Sequence, residues 1–232
     1  MNAKMKVLSL ALIASFGYVG AAAAGTCPAS PTPPWTAVNA LGGTAVIVDG
    51  GYAGTTCHLA STLTGDASAF ATVQDDTPAG ESRYRAQFII NADALTNLGV
   101  IDAAYIFSAQ SGSGAQVQLS IVGDGAGGHL VSYFVPNTAA AGGSNAGSFP
   151  LNAGENHVEF DLDNSGHFSL WVNNNNEATP DFTTTTFNNG GATIETAFLG
   201  LAGPTPGYVA SSNGVAVGFD QFDSRRQTFI GF

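Results

Sequence analysis

Apolar and polar residues alternate along most of the chain with a period of two. In residues 157–163, for example, Val158, Phe160 and Leu162 alternate with polar residues. Successive side chains of a β-strand point to opposite faces, so this pattern predicts strands with one buried face. Clusters of Gly, Asn, Asp and Pro between these stretches predict turns. The predicted strands cover residues 44–48, 56–60, 69–74, 83–91, 104–109, 115–122, 129–135, 157–163, 167–173, 193–201, 215–223 and 227–230.

About a dozen short strands at close spacing are typical of an all-β sandwich, and we expect two antiparallel sheets in a jelly-roll arrangement. One helical turn is predicted at residues 91–98. Three stretches of low complexity predict long polar loops, at residues 137–147, 173–191 and 203–214. Loops of this kind on a rigid sandwich either carry binding residues or are tolerated surface insertions.

One hairpin is specified by its alternation. The apolar sets of residues 157–163 and 167–173 must both face the core, and this requires Leu162 to lie opposite Phe168. The loop is then 164–166, in which Gly166 supplies the positive-φ residue of a three-residue turn. The same register places Glu159 opposite Trp171 on the other face.

The first residues predict a cleavable signal peptide over residues 1–24. Lys4 and Lys6 precede an apolar stretch that is too short for a comfortable membrane span, and Ala22 and Ala24 fit a small-x-small cleavage site. We therefore expect a secreted protein, periplasmic or extracellular, with no membrane insertion of the mature chain. A Pro-rich N-terminal segment at 25–40 would then precede a single sandwich domain at 41–232.

The chain is strongly acidic, with 17 Asp and Glu residues against 6 Lys and Arg and a formal net charge of -11. Cleavage of the signal peptide would remove both lysines and leave only arginines as cations. A phosphate backbone would be repelled by this charge, so nucleic acid is excluded as a partner.

The chain has 2 cysteines, Cys27 and Cys57. In an oxidising compartment, two cysteines most simply form one disulfide, which here would fasten the Pro-rich segment to an early strand. Their spacing matches no C-x-x-C motif of a redox or metal site.

Several segments resemble a known superfamily. The hairpin, with its residues from Asn156 to Leu162 and from Gly166 to Asn173, resembles a hairpin of laminin-G-like domains, which belong to the concanavalin A-like lectin and glucanase sandwiches. Residues 83–88 resemble a central strand of that fold. Residues 218–231 resemble the closing strand of a group of uncharacterised secreted bacterial jelly-roll proteins. This resemblance implies a sandwich fold, but the superfamily includes sugar binders, calcium-dependent adhesion modules and glycosidases.

Three carboxylates on one strand face suggest a catalytic alternative. Glu159, Asp161 and Asp163 resemble the E-x-D-x-E strand of laminarinase-type retaining glucanases, whose chemistry needs two carboxyl groups about 5–5.5 Å apart. The last position is Asp163, which is shorter than the family's glutamate and borders a tight turn. In the other interpretation the three acids belong to a solvated outer face.

Calcium is a candidate cofactor that the superfamily also implies. It needs several oxygen ligands, and plausible donors are Asp75, Asp76, Asp124 and Asp220. The sequence contains no EF-hand pattern and no histidine spacing typical of zinc.

Trp171 is the candidate sugar-binding ring. It is predicted on the outward face together with Glu159 and Asp161, where a pyranose could stack on the indole beside polar groups. Alternatively, the Asn- and Thr-rich loop that follows covers the ring.

These observations favour a secreted, non-catalytic binding or surface-interaction domain, with a glycan or a cell-surface polysaccharide as its partner. The alternatives are a retaining glycoside hydrolase that uses Glu159, Asp161 and Asp163, and a structural extracellular protein without a small ligand.

Overall fold

Fourteen strands and one short helix make up the regular structure in the described part of the chain. The computed structural model describes residues 27–32, 34–136, 144–225 and 228–232, so the predicted signal peptide at 1–24 lies outside the described residues. The strands are β1 (Ala37–Leu41), β2 (Gly43–Asp49), β3 (Cys57–Leu63), β4 (Phe70–Asp75), β5 (Arg83–Asn91), β6 (Ala103–Ser111), β7 (Gly114–Gly123), β8 (His129–Pro136), β9 (Ser144–Pro150), β10 (Glu155–Asp163), β11 (His167–Val172), β12 (Phe182–Thr184), β13 (Thr196–Ala202) and β14 (Ala216–Arg225).

The strands form two antiparallel seven-stranded sheets, which confirms the predicted fold class of a β-sandwich. Sheet I has the order β1-β4-β13-β6-β7-β8-β9, and sheet II has the order β12-β11-β10-β5-β14-β3-β2. Chain neighbours such as β6 and β7 pair directly, whereas β5 lies between β10 and β14, which are distant in sequence. Six of the twelve pairings between the described strands join consecutive strands and six join strands that are not consecutive, so half of the sheet order is set by contacts between separate parts of the chain.

The core lies between the sheets and is rich in aromatic rings. On β5, the buried residues Tyr84, Ala86, Phe88 and Ile90 alternate with residues of the outer face, as the period-two pattern predicts. Phe107 of sheet I bridges the layers, because its ring lies 5.1 Å from that of Phe160 and 5.8 Å from that of Phe88.

The predicted hairpin register is confirmed. β10 pairs with β11 so that Leu162 lies opposite Phe168 and Glu159 lies opposite Trp171. Gly166 has a φ of 118°, a conformation that favours glycine. Asp163 closes the turn by accepting a hydrogen bond from the Ser165 amide at 2.9 Å.

The predicted low-complexity loops contain regular structure. Residues 144–147 belong to the edge strand β9, and residues 182–184 form β12. Residues 206–212 form a helix, α1 (Pro206–Ser212), in which Thr205 is the N-cap and Pro206 occupies the first turn. A capping threonine before a proline is a recognised helix start. The helix was not predicted because the Gly- and Ser-rich composition of this stretch indicated a loop.

Two further predictions were wrong. Residues 91–98 contain no helical turn, because Asn91 ends β5 and residues 93–94 form a simple turn, and residues 228–230 form no strand although a strand was predicted at 227–230. β1 begins at Ala37, inside the predicted Pro-rich segment, and pairs with β4 at the edge of sheet I.

The predicted disulfide is confirmed. Cys27 is bonded to Cys57 at the start of β3, with a Cα–Cα distance of 5.8 Å. This bond ties the N-terminal segment to sheet II. Among the described residues, no helix has both the length and the apolar character that are needed to cross a membrane.

Candidate functional site

The predicted ligand face is buried rather than exposed. Glu159, Asp161 and Trp171 do share the outer face of sheet II, but they are only 4%, 2% and 3% exposed. The expectation that they form an open platform was therefore wrong for this structure. Period-two alternation identifies which residues share a face, but it does not reveal what lies over that face.

Arg85 lies at the centre of this buried face. Its side chain is 1% exposed, and its guanidinium carbon lies 4.9 Å from the centre of the Trp171 ring and 5.0 Å from that of Phe229. Its Nε lies 3.0 Å from a Glu159 oxygen, although the N–H is not aligned for a hydrogen bond. Its Nη1 donates to Glu177 at 3.0 Å. The pairing of Arg85 with Glu159 is therefore a buried ion pair between aromatic rings.

Residues 228–232 provide the cover over this face. The amides of Ile230 and Gly231 each donate to a different oxygen of Glu159 at 3.0 Å. The Phe229 ring lies 5.4 Å from Trp171. The loop after β11 contributes as well, because the Trp171 indole N–H donates to the carbonyl of Asn176 at 3.0 Å. The alternative in which that loop covers Trp171 therefore holds in part, and the C-terminal segment completes the cover.

The other two acids of the β10 face are also engaged by the protein. Asp161 accepts hydrogen bonds from Arg83 at 3.1 and 2.6 Å, and this contact raises the pKa of Arg83. Burial alone would raise the pKa of Asp163, but hydrogen bonds from Ser165 and His167 lower it overall. With Glu159 bonded to the C-terminal segment, all three carboxylates bind groups of this chain.

The four candidate calcium ligands do not form a shared donor set. Asp124 accepts from the amides of Ala126 and Gly128 within its own turn, which lowers its pKa. Asp76 accepts from Gln74 and Thr196. Asp75 and Asp220 line a cleft, which is described next.

Among the described residues, one group of three potential metal ligands lies within 4.8 Å of one another, and it consists of Cys27, Asp49 and Cys57. The two sulfur atoms of this group are joined in the disulfide, so they are not available as thiolate ligands.

A cleft opens where β14 leaves β3. The two strands pair from Ala216 opposite Thr62 to Phe219 opposite Leu59, and beyond this point β14 continues beside β5 alone. The end of sheet II is thereby split, and the split reaches the space between the sheets.

A β-bulge in β14 shapes the inner wall of this cleft. From Asp220 to Asp223 the strand advances by three residues while β5 advances by two, and Gln221 has a φ of 47°. The extra residue reverses the alternation, so Phe219 and Phe222 both face inward although they are three positions apart. Phe222 packs on the core ring of Phe107 at 6.3 Å and meets Trp35 at 4.8 Å.

The cleft has a volume of about 530 Å³ and is walled on one side by the N-terminal segment. The disulfide holds that segment in place, and the Thr36 amide donates to the Gln74 carbonyl of β4 at 2.8 Å. Trp35 and Phe222 are half-buried, so their rings remain available to a ligand. The lining residues are Pro28, Pro31, Pro34, Trp35, Ile47, Cys57, His58, Leu59, Asp75, Thr77, Leu199, Phe219, Asp220, Gln221, Phe222, Asp223 and Ser224.

Polar groups of the cleft are mostly acceptors. Asp220 holds the β2–β3 turn by accepting from the Tyr52 amide at 2.7 Å. Burial raises the pKa of Tyr52, and the charge of Asp220 raises it further. Asp223 is paired with Arg225 at 2.8 Å. Asp75 and His58 are further acceptors, and Thr77, Gln221 and Ser224 add side chains that can both donate and accept.

The pattern of the sequence did not predict this cleft. Trp35 was assigned to the Pro-rich segment without a role, and Asp75 and Asp220 were considered only as metal ligands. One signal was present in the sequence: Val217 and Phe219 are two residues apart, whereas Phe219 and Phe222 are three apart. Such a break in alternation indicates a bulge, and bulges are frequent beside functional sites.

No protein-family model and no curated protein matches the sequence. Solved structures are similar to it in fold. The binding domain of botulinum neurotoxin serotype G aligns with a TM-score of 0.52 and 10% identity over 83% of this chain and 44% of that chain. A structure of botulinum neurotoxin type C aligns with a TM-score of 0.50 and 9% identity over 84% of this chain and 44% of that one.

An alginate lyase from Alteromonas sp.272 is a more distant neighbour, with a TM-score of 0.44 and 11% identity over 72% of this chain and 83% of that chain. The chain spans less than half the length of the toxin structures that it matches. At these identities the toxin structures show the β-sandwich fold alone.

Proposed function

We propose that this chain is a secreted, non-catalytic glycan-binding domain of the concanavalin A-like kind, and that its ligand occupies the cleft beside β14. The observation that carries the proposal is the pair of half-buried rings, Trp35 and Phe222, at the mouth of a cleft of about 530 Å³ with carboxylates beside them. Sugar sites combine an aromatic face, on which the apolar side of a pyranose stacks, with a few polar groups that fix its orientation.

The fold and the disulfide agree with this proposal. A disulfide is typical of proteins in oxidising compartments, as secretion requires. Cell entry of the type C toxin depends on interaction with two ganglioside molecules, which is a property of that protein. Because the likeness is one of fold, the physical case for a glycan comes from the cleft of this chain.

The test is binding of neutral oligosaccharides, first on a glycan array and then by calorimetry. Trp35→Ala removes the stacking ring, and we expect affinity to fall by about 1–3 kcal/mol. Trp171→Phe is the matched control, since Trp171 lies under the C-terminal segment on the outer face of sheet II and should leave affinity unchanged. A melting curve verifies that both variants are folded.

Equal affinity of wild type and Trp35→Ala would place the ligand elsewhere. Binding to no oligosaccharide would leave the structural alternative. Hydrolysis of a β-glucan by the wild type, lost in Glu159→Gln, would instead favour the glycosidase alternative.

A further inference from the structure

The described lining of the cleft carries acidic side chains and no lysine or arginine. Its carboxylates are Asp75, Asp220 and Asp223, and His58 is the other titratable side chain of the lining apart from the bonded Cys57. The nearest arginine in sequence, Arg225, is paired with Asp223. A ligand in this cleft therefore meets a negative potential that no described cation of the lining offsets.

Asp75 is the most buried of the three carboxylates in the described lining of the cleft, and it offers an oxygen to a ligand. It lies at the end of β4 and is 8% exposed. One of its oxygens, Oδ1, accepts from the Thr77 amide at 2.9 Å, and within the described part of the chain its Oδ2 has no hydrogen-bond partner. A carboxylate that is largely removed from water and has one free oxygen attracts a cation more strongly than an exposed one does.

His58 adds a further acceptor. Its Nδ1 lies 2.8 Å from the carbonyl oxygen of Gly50. A carbonyl only accepts, so Nδ1 carries the proton, and in the neutral ring Nε2 is left as an acceptor. The ring stacks on Tyr52 at 4.7 Å, which fixes its orientation. Acceptors thus predominate among the cleft's polar groups, which suits ligands that donate hydrogen bonds.

We infer that the ligand is an amino sugar, a glycan whose units carry a free ammonium group. This inference rests on the proposed glycan-binding function and assigns its ligand class. The sugar ring stacks on Trp35, and the ammonium group donates to the free oxygen of Asp75. Uronate and sulfated sugars are disfavoured because they would add negative charge to an acidic cleft.

Four tetrasaccharides test this assignment by calorimetry at low and high salt: a β-1,4-linked glucosamine tetramer, its N-acetylated form, cellotetraose and a tetra-uronate. We expect the glucosamine tetramer to bind most tightly and the tetra-uronate most weakly, with a preference that shrinks as salt is added. Asp75→Asn keeps an oxygen for the Thr77 amide but removes the charge, and it should weaken binding of the glucosamine tetramer by about 10-fold or more. The adjacent Asp76→Asn is the matched control and should change it by less than about 2-fold, because Asp76 is exposed and lies outside the cleft lining.

The outcomes separate the ligand class from the function. If cellotetraose binds as tightly as the glucosamine tetramer and Asp75→Asn affects neither, the amino-sugar assignment is overturned while glycan binding stands. Preference for the tetra-uronate likewise overturns it. If none of the four binds and Trp35→Ala changes nothing on a wider array, both the assignment and the proposed function fail.

Discussion

Arg85 and Glu159 show how a buried charge is accommodated at a single position. The guanidinium lies between two rings, and the carboxylate accepts two backbone amides from residues 228–232. Both groups are almost fully buried, and Glu159 is compensated by Arg85, whereas Arg85 has a second carboxylate partner in the exposed Glu177. The sequence placed Glu159 on the correct face, but its partner is 74 positions earlier in the chain, and such a contact leaves no local signature.

Substitution of Glu159 should be costly for stability. Glu159→Gln removes the buried one of the two carboxylate partners of Arg85 and leaves only the exposed Glu177. We expect the free energy of unfolding to fall by up to about 3–5 kcal/mol, the range for a broken buried pair. Asp223→Asn removes the acid of a half-exposed pair with Arg225 and should cost about 0–1 kcal/mol. Urea unfolding of the two variants makes the comparison. Equal losses would show that the buried pair contributes no more than the surface pair does.

At the scale of strands and loops, alternation predicted much and missed what depends on distant partners. The span of β5 was predicted residue for residue, because its buried face alternates without interruption. β9 and β12 were missed: each is an edge strand of low apolar content that is ordered by pairing with its neighbour, β8 or β11. The candidate ligand site was missed for a related reason. It forms where β14 separates from β3, and a single sequence shows the bulge but not the separation.

The C-terminal segment 228–232 is the element whose role is easiest to test, because it covers one of only 2 tryptophans. In a Trp35→Phe background, Trp171 is the only tryptophan, so the tryptophan fluorescence comes from Trp171 alone. Phe229→Ala removes the ring that lies 5.4 Å from Trp171, and we expect a red-shifted emission and stronger quenching by acrylamide. Phe232→Ala is the control, since Phe232 packs on His157 and is 55% exposed. Emission of Phe229→Ala that equals that of the parent would contradict the covering role.

For the whole molecule, acid has two opposite effects on stability, one through the net charge and one through half-buried histidines. The net charge of -11 produces self-repulsion at neutral pH, and acid relieves it. Two half-buried histidines act in the other direction. Burial lowers the pKa of His157 despite the opposing effect of Glu155, and burial also lowers the pKa of His129 despite Asp124 and Asp93. The pH dependence of stability is the sum of these effects, and variants are needed to separate them.

The structural cause of the lowered pKa is clearer for His157 than for His129. Its Nδ1 is buried without a hydrogen-bond partner among the described residues, and its ring stacks on Phe232 at 4.0 Å. Its pKa in the folded protein is below the ordinary value of about 6.5 that it has in the unfolded chain. As the pH falls below about 6.5, the unfolded chain takes up a proton that the folded protein does not, and this favours unfolding. The stabilising contribution is therefore complete above that pH and is lost as the pH decreases toward the folded-state pKa.

His157→Gln should remove this share of the pH dependence. The range from pH 7.5 to pH 5.5 spans the ordinary histidine pKa of about 6.5. When the pH is lowered across this range, we expect the free energy of unfolding of the wild type to decrease more, or to increase less, than that of the variant. Self-repulsion cancels in the comparison because both proteins carry nearly the same charge. Urea unfolding at matched ionic strength measures the two curves, and a double variant with His129→Gln should reduce the acid-induced loss further. Parallel curves for wild type and His157→Gln would mean that burial of this ring does not contribute to the acid response.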